Sequence, residues 1–246
     1  MTSVVLIRYS EVYLIERVLP VARDVKSPGR TRRRYDSSGR RRQAEQRRAR
    51  VIEAARACFL ADGYVATTVP QIAETAGVSV EFVYKAFDSK AGVAAAAWQQ
   101  ALLGQGSRPA EERSDEVSST ASDPREILRN WAVLSAEVSE LGAPLTALIR
   151  AAAQVDEGAQ RLFDRFEQAR RERMAHNAAY LVDGGHVRPG LTAAQVRDIL
   201  LVAAGELYES LVLGRGWARD TYIDVTYRFL EAALLPGGEV SARTSR

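Results

Sequence analysis

The side chains best suited to chemistry are few in this chain, and their spacing narrows what they can do. Its 246 residues include one cysteine, Cys58, and two histidines, His176 and His186. Cys58 lies in an apolar helical pattern and reads as a small core side chain, and a single thiol excludes an intrachain disulfide framework. Neither histidine has cysteine or acidic partners at metal-ligand spacing, so both read as surface or loop residues and no metal is expected. The sequence shows no phosphate-binding glycine loop, no nucleophile elbow and no histidine beside a plausible nucleophile. The expectation is therefore a chain without catalysis and without a cofactor. What remains is charge. Between Arg30 and Arg50 the stretch GRTRRRYDSSGRRRQAEQRRAR crowds arginines together, broken by Gly, Ser and Asp, with no apolar stripe to anchor a fold. Its available chemistry is attraction to phosphate with release of counterions.

The whole chain carries a formal net charge of only +3, but unevenly. Residues 1–50 hold 14 Lys and Arg against 5 Asp and Glu, and the remainder holds 20 against 26. A hydrophobic share of 46% with 26% charged residues fits a globular protein and excludes a disordered one. Residues 1–29 are apolar in two short runs, Val4 to Ile7 and Val12 to Leu19, which Arg8, Glu11, Glu16 and Arg17 interrupt. They read as neither a membrane span nor a signal peptide, so no membrane partner and a cytoplasmic location are expected. This leader is expected to be an accessory element or the product of an overextended start.

The elements that must position the arginines begin with a helix from Ala44, in which Val51, Ile52, Ala55, Cys58 and Phe59 share a face until Asp62-Gly63. Thr68-Val69-Pro70-Gln71 opens a second helix with a capping box and a first-turn proline. Val69, Ile72, Ala73 and Ala76 form its apolar face. Gly77 suits a left-handed stop, and Ser79 can cap a third helix on which Val83 and Phe87 lie one turn apart. Two short helices joined so tightly must cross steeply against the first, which is helix-turn-helix geometry. A plain helical pair in a larger bundle fits the same spacing, and the neighbouring arginines favour the DNA reading. The arginine run then reads as a mobile basic arm rather than a solubilising tail, with Arg40, Arg41, Arg42 and Arg47 as candidates for a minor groove.

Cys58-Phe59 through Gly63-Tyr64, Thr67-Thr68-Val69, Ile72-Ala73, Ala76-Gly77-Val78-Ser79, Val83-Tyr84, Phe87 and Ser89-Lys90 closely resemble the N-terminal domain of tetracycline-repressor (TetR) family regulators. The resemblance covers about fifty residues with order and spacing intact. It implies an all-α homodimer: an N-terminal three-helix helix-turn-helix domain that binds a palindromic double-stranded DNA operator, and a C-terminal helical domain for ligand binding and dimerisation. It further implies that Thr68, Tyr84 and Lys90 contact phosphate and that Val80, Glu81 and Lys85 face the groove, with Ser79 capping the recognition helix. In base chemistry Glu81 suits a cytosine amino group, Lys85 guanine or phosphate, and Val80 a thymine methyl. Phe82 and Ala86 depart from the family pattern.

After Lys90 an alanine-rich helix leads into GQGSRPAEERSDEVSSTASDP, which reads as a solvated loop. Helices are then expected over about 124–141, 144–155, 158–183, 193–213 and 218–235. The domains are accordingly 1–43 leader and basic arm, 44–90 DNA-binding, 91–238 effector-binding and dimerisation, and 239–246 a disordered tail. By family resemblance, the last two helices form a dimer seam, with Leu200, Leu201, Ala204, Leu207, Leu211, Tyr222, Val225 and Phe229 as candidates. Trp131, Leu134, Leu145, Leu148, Phe163 and Phe166 are candidate walls of a small-molecule effector pocket. Ordinary core packing accounts for the same residues. The functional expectation is a repressor released from its operator by an effector; the alternative is a nonspecific nucleoid-type DNA-binding protein.

Overall fold

A helix forms inside the arginine run. In the computed structural model, which describes residues 38–106 and 108–236, α1 spans Ser38–Asp62 rather than starting at Ala44. The expected flexible arm is corrected to that extent, since Arg40, Arg41 and Arg42 lie on helical backbone. The reason is local. After Gly39 the run RRRQAEQRRAR contains neither Gly nor Pro and consists of good helix formers, so the helix held by Val51 and Ala55 propagates backward. The leader, the earlier part of the arm and the tail at 239–246 lie outside the described residues.

Helices α2, Val69–Ala76, and α3, Val80–Phe87, form with the expected ends. Thr68 and Gln71 make the capping box, and Gly77 takes φ +63° as the left-handed stop. Ser79 accepts from the Phe82 amide at the start of α3. Ser89 then caps α4, Lys90–Leu103, whose Val93, Ala94, Ala97, Trp98 and Ala101 are buried.

One apolar cluster runs through α1 to α4 and on into Leu145, Ile149, Leu162 and Phe166. The three-helix head and the larger body therefore share a core, and Trp98 stacks on Phe166 with ring centroids 4.3 Å apart. A second cluster holds Ile127, Leu128, Trp131, Leu181, Leu200 and Leu230, and the described residues from Arg40 to Pro236 form one compact unit.

The stretch expected as a solvated loop contains a helix, α5, Ala110–Thr120. Its buried side is Ala110, Ser114 and Ser118, small residues four apart that carry no hydrophobic signal. Polar ties hold it instead. Arg173 donates to Ser114 Oγ at 2.9 Å and Asp115 Oδ1 at 2.6 Å, and the Tyr180 hydroxyl donates to the Ser118 carbonyl. Burial opposes ionisation of Asp115, yet hydrogen bonds from His176 and Arg173 bring its pKa down to about 2.

The two helices expected at 124–141 and 144–155 are one, α6, Pro124–Ala152, with Pro144 inside it. A proline at this depth normally interrupts a helix, but here Leu145 and Ile149 are anchored in the first cluster while Ile127 and Leu128 are anchored in the second. By length and composition α6 could cross a membrane; 56% of its most apolar window is buried inside the molecule, as expected of a core helix.

A carboxylate on α6 ties down the turn between α4 and α5. Glu137, 6% exposed, pairs with Arg113 through contacts of 2.5 and 3.1 Å and accepts from the Gln105 amide. The Arg113 hydrogen bonds, against the cost of burial, hold Glu137 below its ordinary pKa of 4.5. A depressed carboxylate contributes stability above its unfolded pKa and loses it as pH falls through the folded one. Glu137→Gln is expected to cost about 3 kcal/mol at neutral pH. Denaturant unfolding from neutral to about pH 3 should show that penalty shrinking as the wild type acidifies; a constant difference would refute the assignment.

Helix α7 spans Glu157–Asp183, and α8 begins at Ala193 behind a second capping box, Thr192 with Gln195. The regular part of α8 ends at Leu201, after which the turns widen to π-helix over Val202–Glu206 and again over Glu209–Leu213. Helix α9, Arg219–Leu234, packs along α6. Two of the expected seam residues are not available to a partner: Leu200 and Tyr222 are buried within the chain. The Tyr222 hydroxyl donates to the Ala203 carbonyl at 3.0 Å and meets Ser135 Oγ at 3.1 Å. Val202, Leu213 and Phe229 are exposed.

Candidate nucleic-acid interface

The core side of α3 is set by Val83 and Phe87, buried at 1% and 6% exposure. Residues offset from them point away from the core, so Glu81, Tyr84 and Lys85 are exposed. Val80 is half-buried and packs against the first cluster, as do Phe82 and Ala86. The departures from the family pattern at Phe82 and Ala86 thus coincide with packing positions. Glu81 sits in the first turn, where a negative charge also complements the helix dipole.

Thr68 is exposed at the start of α2, its Oγ1 accepting from the Gln71 amide at 3.3 Å. Gln71 in turn donates to Asp62 Oδ2 at 2.5 Å, which ties the start of α2 to the end of α1. Lys90 is held more tightly than its expected role requires. Its ammonium donates to the Tyr64 carbonyl at 2.7 Å and the Val65 carbonyl at 3.2 Å and stands 4.4 Å from the Tyr64 ring centroid. Burial lowers its pKa, with Asp156 opposing. This bridge of more than twenty residues in sequence closes the turn between α1 and α2, and no local pattern announces it.

On α1 the side chains of Arg41, Arg42, Arg47, Arg48 and Arg50 are all exposed. Arg48, which sequence reasoning did not single out, reaches the C-terminal end of α3. The candidate pocket residues separate. Leu145, Leu148, Phe163 and Phe166 meet in the first cluster, Trp131 belongs to the second, and Leu134 is buried on α6.

A three-helix head with a capped turn, an outward third helix and arginines along its first helix defines a helix-turn-helix DNA-binding domain. Residues 51–97 match the model of bacterial regulatory proteins of the tetR family. No curated protein matches the chain. Among solved structures it is similar to NalD of Pseudomonas aeruginosa, the secondary repressor of the MexAB-OprM multidrug efflux pump, at 20% identity and a TM-score of 0.60 over 78% of this chain and 98% of that one. It is similar to the transcriptional regulator FadR of Bacillus subtilis, solved with stearoyl-CoA, at 16% identity and a TM-score of 0.60 over 74% and 96%. A protein from Saccharomonospora viridis, described as a transcriptional regulator and solved with choline, gives 18%, 0.59, 78% and 100%. Residues 51–97 are thus similar to the tetR-family model, and the chain as a whole shares the fold of these solved regulators.

Proposed function

We propose that the protein is a homodimeric transcriptional repressor that binds a palindromic operator and is released from it by a small-molecule effector. The observation that carries this reading is the exposure of Glu81, Tyr84 and Lys85 on a third helix capped at its start by Ser79 and braced by α1 and α2. Glu81 and Lys85 read base edges in the major groove, Val80 contributes the part of its side chain left open, and Thr68 and Tyr84 contact phosphate. Lys90 has a third N–H to offer a phosphate beyond the two carbonyls it already holds. Arg41, Arg42 and Arg47 extend the basic surface along a helix rather than through a loose arm, and Arg40 lies on the same helical backbone.

The exposed Val202, Leu213 and Phe229, with Leu201, Ala204, Leu211 and Val225 beside them, form the dimer surface. Ligands in two similar structures support an effector, whose site lies in the body beside Leu145, Leu148, Phe163 and Phe166, the candidate pocket residues that meet in one cluster. Such a ligand acts by preferring the arrangement of heads that cannot span two half-sites. The protein acts on cytoplasmic DNA.

Selection of bound genomic fragments by the purified protein tests this reading. One inverted repeat is expected, with half-site centres about one DNA turn or a multiple apart. Glu81→Ala should relax preference at one base pair per half-site by about 1–3 kcal/mol. The arginine-rich α1 makes nonspecific nucleoid-type binding the second reading, and the absence of any enriched repeat would select it.

A further inference from the structure

The last carbonyls of α3 have no partners within their own helix, as at any helix end. Here the exit is abrupt. Asp88 leaves the helix at φ +69°, the single positive φ among the described non-glycine residues, which costs a side-chain-bearing residue stability. Its amide returns to the Tyr84 carbonyl at 2.7 Å and the Ser89 amide to the Phe87 carbonyl at 2.8 Å. The Ala86 carbonyl is taken by a side chain from another helix. Arg48 of α1 donates through its guanidinium to Ala86 O, and its guanidinium carbon stands 4.2 Å from the centroid of the buried Phe87 ring. A cation at this end also complements the negative pole of α3.

We propose that Arg48 is a positioning residue for base recognition: it clamps the C-terminal end of the recognition helix to α1, and its role is not phosphate contact. This rests on the reading of α3 as the recognition helix. Arg48 lies outside the segment 51–97 that matches the family model, and in sequence it is one arginine among many in a run whose evident use is DNA charge. The geometry gives it a different task from Arg41, Arg42 and Arg47. Without the clamp the strained exit at Asp88 is free to unwind the last turn, and Lys85 moves with it.

The two roles separate in one measurement. A phosphate contact adds equally to binding of any DNA, and its loss lowers the log–log salt slope by about 0.9. A positioning contact acts on specific binding alone. For Arg48→Gln, operator affinity is expected to fall about tenfold, the worth of a charge-assisted hydrogen bond. Affinity for random duplex and the salt slope should stay as in the wild type, and Arg48→Lys, which keeps a donor and a cation, should recover part of the loss. Equal losses on operator and random DNA with a shallower slope would overturn the proposal, as would unchanged operator affinity in a folded Arg48→Gln protein. Hydrogen exchange without DNA keeps this test distinct from that of the function. Amides at the end of α3 should exchange faster in Arg48→Gln and at nearly the wild-type rate in Arg48→Lys. Unchanged exchange would refute the clamp even if no operator were found.

Discussion

Gly92→Ala is expected to cost about 3 kcal/mol, near the upper end for overpacking, and to abolish operator-specific binding. Gly92 lies in the first turn of α4, where its amide donates to the Ser89 cap at 3.1 Å. A Cβ built there would overlap the Phe87 carbonyl oxygen, which is main chain and has no rotamer into which to retreat. That carbonyl already accepts from the Ser89 amide, so the link between α3 and α4 must shift as a unit. Helix propensity alone makes the same substitution favourable by nearly 1 kcal/mol, so the two effects predict opposite signs. Chemical unfolding decides between them, and a variant as stable as the wild type would show that the junction yields more easily than its geometry indicates.

Phe166→Ala is expected to destabilise by about 3–5 kcal/mol, the usual range for truncating a buried aromatic. Phe166 is 2% exposed on α7 and lies nearly parallel to Trp98 of α4, with an interplanar angle of 8°. Its removal opens the core shared by head and body, so one cooperative transition should move to lower denaturant rather than a second one appear. A loss below about 1 kcal/mol, the scale of a mere surface contact, would mean that the stack does not join the two parts.

Much of the head was legible because its signals are local. Thr68, Gln71, Gly77 and Ser79 define the ends of α2 and α3 within a few residues of one another, and each cap has the predicted partner or backbone angle. The exposure of Glu81 and Lys85 followed from the spacing of Val83 and Phe87. The body was less legible because its determinants are distant or small. Helix α5 is held by Ser114, Asp115 and Ser118 meeting α7 some sixty residues later, and a serine face gives no hydrophobic period. Pro144 reads as a break unless one knows that both halves of α6 are already fixed in separate clusters.

The wide turns after Leu201 were invisible for a related reason. Each π-turn admits an extra residue and rotates the helix beyond it, so a face counted from Leu200 at 3.6 residues per turn drifts out of phase by Leu211. Arg170 of α7 stands over Gly205 and donates to the Leu201 carbonyl at 3.4 Å, a contact that belongs to tertiary structure. The same applies to Arg48 and Lys90. Their charges were plain in the sequence, but that each reaches a main-chain carbonyl of a distant segment was not.

The continuity of the first apolar cluster bears on how such molecules can diversify. A DNA-reading module joined through a tether can be exchanged between proteins wholesale, whereas here a transplanted α1–α4 would have to bring a flat ring to lie against Phe166 and small residues to meet Leu145 and Ile149. If α3 reads DNA as proposed, new operator preferences are therefore reached more readily by changing its outward side chains in place than by recombining whole heads. Compatible chimeras will be those whose α4 keeps an indole or its equivalent at position 98.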